Sequence, residues 1–150
     1  MDTIESMISR LERFNAMIDS VLENEVTEAM KEAIAESVLY NVYDYSADAT
    51  FKRSRRWTNG GIADSRNIKG EAYGGVLTLT DIAGLQNLWG AGKQGIWSAD
   101  VATLVQNGSS AFNQPGSRPF LDEAVEDAIN SGKIDAAIQD GLRRFGFAVD

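Results

Sequence analysis

Apolar residues recur at Ile4, Met7, Ile8, Leu11, Phe14, Met17, Ile18, Val21 and Leu22, the three-and-four spacing of a single stripe along an amphipathic helix. Asp2 predicts the cap of its first turn, with Glu5 three residues later in a capping-box arrangement. Glu5, Glu12, Arg13 and Asp19 lie mostly off the stripe. After Glu23-Asn24-Glu25 the pattern resumes at Val26, Met30, Ala33, Ile34, Val38 and Val42, with Ser37 on the same face and no glycine or proline before Gly60. Two arrangements fit: one long helix whose stripe shifts, or two helices joined near residue 23. A helix of about 40 residues would run roughly 60 Å, more than a domain of this size covers alone, so part of it must meet a partner.

The helical pattern then stops. Residues 40–66, YNVYDYSADATFKRSRRWTNGGIADSR, read as a long loop closed by the turn signal Asn59-Gly60-Gly61. A β-hairpin follows, with strands near 66–73 and 76–82: Val76-Leu77-Thr78-Leu79-Thr80 is rich in β-formers, and Gly74-Gly75 supplies the positive φ of a tight turn. Residues 84–97, GLQNLWGAGKQGIW, read as a glycine-rich loop carrying Trp89 and Trp97. Ser98 caps a short helix closed by Gly108. Pro119 suits a first helical position, and FLDEAVEDAIN and KIDAAIQDGLRRF form closing helices on either side of Gly132 or one helix through it.

Composition removes much familiar chemistry. The 150 residues contain no cysteine and no histidine, hence no disulfide, thiolate nucleophile, imidazole base or usual zinc ligand. No cofactor and no enzymatic activity are expected. The paired carboxylates Asp122-Glu123, Glu126-Asp127 and Glu23-Glu25 read as solvated helix faces, and Asp140 with Arg144 as an i,i+4 surface pair. GAGKQG, residues 90–95, fails as a phosphate-binding loop: Asn87 stands where a glycine is needed and Gln94 where Ser or Thr would hold magnesium. The acidic, charge-broken start MDTIESMISRLERF is unlike a signal peptide, and no membrane association is expected.

Charge is segregated. Residues 1–36 hold nine acids and three bases and residues 121–150 seven and three, whereas residues 50–70 hold six bases and one acid, in a chain of net charge −8. Lys52, Arg53, Arg55 and Arg56, with Trp57 beside them, are therefore read as a contact to the acidic helices of a second copy, by bidentate arginine pairing. The alternative is a nucleic-acid contact, with cations on phosphate and Trp57 stacked on a base, as in a nucleic-acid-binding accessory protein. Against it stand the sequence pI near 4.5 and the short extent of the patch. Tyr40, Tyr43, Tyr45, Phe51 and Trp57 fit either packing beneath the loop or an interface core.

Three stretches together resemble the head-tail joining and tail-completion (neck) proteins of long-tailed bacteriophages. In VLYNVYDYSADATFKRSRRWTNGGIADSRNI, residues 38–68, the matching positions are Val42-Tyr43, Arg55-Arg56, Gly60-Gly61-Ile62, Asp64 and Asn67-Ile68. The hairpin is the second stretch, and RPFLDEAVEDA with DGLRRFGF the third. The resemblance covers residues 26–147, with Ser117 and Phe51 as departures from the pattern. It implies an α+β fold, a small antiparallel β-sheet with packed helices. To that fold this chain adds a long N-terminal helical segment: residues 1–22 would be an amphipathic, partner-docking extension and residues 23–150 a single neck-protein domain.

The implied role is structural. A tail-completion or tail-terminator subunit forms a homo-oligomeric ring between portal or connector and tail tube, within the virion and in the host cytoplasm before assembly. DNA would be met only as the passing genome. Lys52, Arg53, Arg55, Arg56 and Trp57 would then make subunit contacts, with Trp89 and Trp97 as a docking loop.

Overall fold

A computed structural model describes residues 3–38, 40, 62–82 and 120–150. Helix α1 spans Ile4–Val21 and is capped by Thr3, whose hydroxyl accepts from the Ser6 amide at 3.2 Å. The cap thus falls one residue after the expected Asp2, because Thr3 holds the extended backbone (ψ 158) that lets its side chain reach back. From Val21 the chain continues without a break through a π-helical turn, Leu22–Val26, into α2, Thr27–Val38.

That turn explains the shifted stripe. The Thr27 amide reaches the Leu22 carbonyl five residues back, and the Thr27 hydroxyl donates to the same oxygen at 2.9 Å. One residue added to a helix is worth about 100° of rotation. This is about the offset between the apolar face of α1 and that of α2, so the wider turn brings Val26, Met30, Ala33 and Ile34 onto the side that α1 presents. Of the two arrangements open from sequence, the chain adopts the continuous helix.

The hairpin forms as its sequence predicts. Strand β1, Ile68–Tyr73, pairs antiparallel with β2, Val76–Asp81, in a register running from Ile68 opposite Asp81 to Tyr73 opposite Val76. Gly74 and Gly75 turn the chain at φ 60 and 80, a conformation that side-chain-bearing residues adopt only with strain. Two closing helices follow, α3 at Phe120–Asn130 and α4 at Lys133–Arg144, separated at Ser131 and Gly132. The described parts make an α+β fold: mostly helix, one small antiparallel sheet and a long N-terminal helical segment.

The core sits where α2, α3, α4 and the start of β1 converge. Val26, Met30, Ile34, Val38, Ile62, Ile68 and Phe120 are buried there, with Ala33, Ala124, Ala128 and Ala137 allowing the helices close approach. Ser37, the polar member of the α2 stripe, donates to the Phe120 carbonyl at 2.6 Å and ties α2 to the first turn of α3. Val21, the last residue of α1, packs on α4 at Gly141, where a Cβ would lie 2.5 Å from a Val21 methyl.

Candidate functional site

The residues singled out from sequence, Lys52, Arg53, Arg55, Arg56, Trp57, Trp89 and Trp97, all lie outside the described residues, as do GAGKQG, the helix after Ser98, and Pro119. What the structure places is the frame of the basic segment. Upstream of it Val38 is fully buried, and downstream Ile62, Ala63 and Asp64 enter the core.

The downstream anchor of the basic segment uses one of its own cations. Asp64 is 4% exposed and accepts from the Arg66 amide at 3.0 Å and from Arg66 Nε at 2.9 Å. The hydrogen bonds to Asp64, and secondarily its charge, raise the Arg66 pKa above the usual guanidinium value. One of the six bases between residues 50 and 70 is thus committed to holding the chain at the start of the hairpin.

The acids of the long helix divide into two sets. Asp19, Glu23, Glu25, Glu28 and Glu36 are engaged within the domain, Glu28 with Lys31 at 2.7 Å and Glu36 with Lys133 at 2.8 Å. Asp19 accepts from the amides of the hairpin turn, Gly75 at 2.8 Å and Gly74 at 3.2 Å, and Glu23 from the Ala72 amide at 2.9 Å. Glu23 thereby spans an open groove lined also by Glu71, Ala72, Tyr73, Val76 and Thr78. Glu23 thus ties β1, and Asp19 the hairpin turn, to the long helix. Glu25 pairs with Arg144 through two guanidinium nitrogens, Nε and Nη2, and that hydrogen bonding holds its carboxyl below the usual carboxylate range despite partial burial.

The pairing of Arg144 corrects the sequence expectation. Asp140 pairs with Arg143, at 2.7 Å, while Arg144 reaches across to Glu25 and lies 4.5 Å from the centre of the Phe145 ring. An i,i+4 spacing permits a contact, but the π-helical turn brings a partly buried carboxylate closer to hand.

Glu5, Glu12 and Glu32, together with Asp122, Glu123, Glu126 and Asp127 on α3, remain exposed and form the acidic exterior. Among the described residues no group of three or more Asp or Glu side chains converges as metal ligands would, and no helix is long and apolar enough to cross a membrane. The conspicuous surface is apolar. Ile4, Met7, Ile8, Leu11 and Phe14 are 76, 55, 49, 62 and 50% exposed, so the first half of the α1 stripe continues past the core it should cover. The sequence signals this surface by a stripe of nine apolar residues. It gives only a faint sign of the Asp19–Glu23 clamp, namely two acids four apart on one flank of the helix.

The YomN family model matches residues 1–144. The chain belongs to the YomN family. That family name is of phage type, of the kind of Bacillus phage SPbeta, and suggests a phage protein. The match takes in α1 as well as the rest of the described fold, so the exposed stripe lies within the family's own span. No curated protein and no solved structure matches this YomN-family chain.

Proposed function

We propose that this YomN-family chain is a non-enzymatic structural protein of a phage virion, a tail-completion or tail-terminator subunit at the head-tail interface. It works by ring assembly and by docking between the portal or connector and the tail tube. The observation that carries this reading is the long helix: a domain with a closed core extends an amphipathic helix whose apolar face is exposed over its first half. Such a face lies at the upper end of what a solitary soluble domain leaves in water, the range in which patches are often interaction sites. Two further features support it: the phage-type family and the segregation of the basic segment from the acidic helices.

In the assembled ring the basic segment 52–57 reaches the exposed acids of a neighbour's helices. Acids facing the lumen let DNA pass without sticking. Light scattering on the purified chain, alone and with double-stranded DNA, separates this reading from nucleic-acid binding. A ring-sized oligomer, or a monomer that assembles only on tail tubes, is expected. Tight DNA binding that weakens steeply with salt would overturn it.

A further inference from the structure

The exposed face of α1 carries its own instructions for what covers it. Ile4, Met7, Leu11, Phe14, Ile18 and Val21 follow a strict three-four alternation, the seam of a heptad helix pair. Ile8 and Met17 widen that seam on either side. The two flanks differ in sign. Glu5, Glu12 and Asp19 recur every seven residues along one flank, whereas Arg10 and Arg13 lie on the other. Asp19 is already turned toward the hairpin, which leaves Glu5 and Glu12 as the exposed acids of their row.

Orientation follows from that asymmetry. When two copies of one helix pack side by side in parallel, opposite flanks meet, and when they pack antiparallel, like flanks meet. Antiparallel packing would set Glu5 and Glu12 against their own copies, while parallel packing sets them on the neighbour's flank that carries Arg13. We propose that the exposed face of α1 is a homotypic interface, packed in parallel register against α1 of a second copy, acidic flank to basic flank. In such a pair both flanks of each helix are used and the contact closes two-fold, so growth into a ring needs a second, different contact.

Area sets the strength of the contact. From their fractional exposure, the five residues Ile4 to Phe14 offer roughly 500 to 600 Å² of side-chain surface, the upper end of the largest patch on an ordinary monomer. A stable two-body interface buries about 800 Å² per partner. Packing of α1 is therefore an auxiliary contact, and for its second contact it rests on the ring-assembly reading above.

The absence of native cysteine makes the test direct. Leu11→Cys, at an exposed seam position, places two sulfurs within bonding reach across a parallel in-register pair. Mild oxidation of the full chain carrying Leu11→Cys is expected to give disulfide-linked dimer in several-fold excess over Ala16→Cys, which lies on the opposite face. Leu11→Asp should lower the oligomer mass while leaving the circular dichroism spectrum unchanged. Equal cross-linking by both cysteine variants, or a Leu11→Cys chain that stays monomeric, would overturn the proposal. So would an oligomer mass indifferent to Leu11→Asp. If rings form and Leu11→Cys does not cross-link, the α1 contact fails and ring assembly stands. If Leu11→Cys cross-links and nothing larger than a dimer forms, the α1 contact stands and the ring fails.

Discussion

Replacing Gly141 by Ala sets two opposing effects against each other in the middle of α4. Helix propensity favours the change by about 1 kcal/mol, because glycine loses more backbone freedom than alanine. Packing opposes it. The new Cβ would stand 2.5, 2.8 and 3.0 Å from Cγ1, Cγ2 and Cβ of Val21, all inside contact distance. Val21 is 2% exposed and β-branched, so its side chain has neither room nor rotamers with which to retreat. Overpacking a fixed site costs about 1–3 kcal/mol, and a contact this close belongs to the upper part of that range. A net loss of about 1–2 kcal/mol follows, with a fall in melting temperature of roughly 2–4 °C per kcal/mol for a chain of this length.

Thermal and urea unfolding followed by circular dichroism measure the loss. The Gly141→Ala, Val21→Ala double variant supplies the control, since removing the Val21 methyls makes room. The two changes should be less than additive, with a coupling of about 0.5–3 kcal/mol. A Gly141→Ala chain more stable than the parent would refute the reasoning. Propensity alone would then govern the site, and α1 would not be seated on α4 as described.

Two further outcomes are expected. Arg144 lowers the pKa of Glu25, so the stability drawn from that pair is present above the ordinary carboxylate value of 4.5 and is lost as pH falls through the lower folded value. Urea titrations between neutral and acid pH should show Glu25→Gln and Arg144→Gln each flattening the acid limb relative to the parent, and an unchanged limb would mean that the pair is not formed. For the basic segment, Arg55→Glu with Arg56→Glu should abolish assembly in light scattering with an unchanged circular dichroism spectrum, and assembly that survives would remove the segment from the contact.

The elements that could be read from sequence are those specified by neighbours along the chain. The hairpin was legible because a Gly-Gly turn sits between a β-branched run and its partner, and the register followed from the turn. The stripes of α1 and α2 were legible in the same way, down to their offset, but a shift in periodicity does not say whether a helix breaks or widens. Widening won because Thr27 can place both its amide and its hydroxyl on the Leu22 carbonyl. Contacts between distant residues left little trace. Glu25 and Arg144 stand 119 positions apart, and the engagement of Asp19 with the hairpin turn spans 56. Apart from the four-residue spacing of Asp19 and Glu23, nothing in the local sequence marks those acids as different from Glu5 or Glu12. Exposure of the stripe was legible as a surplus of apolar surface, and the fold adds where it lies: beyond the core, on the side continuous with the buried face of α2.

The central claim, that the chain joins heads to tails, is tested most directly by electron microscopy of lysates from a phage lacking it, with the chain restored from a plasmid as the control. The account predicts DNA-filled heads and separate tails, with joined particles returning on complementation. Joined, infectious particles formed in the absence of the chain would contradict it.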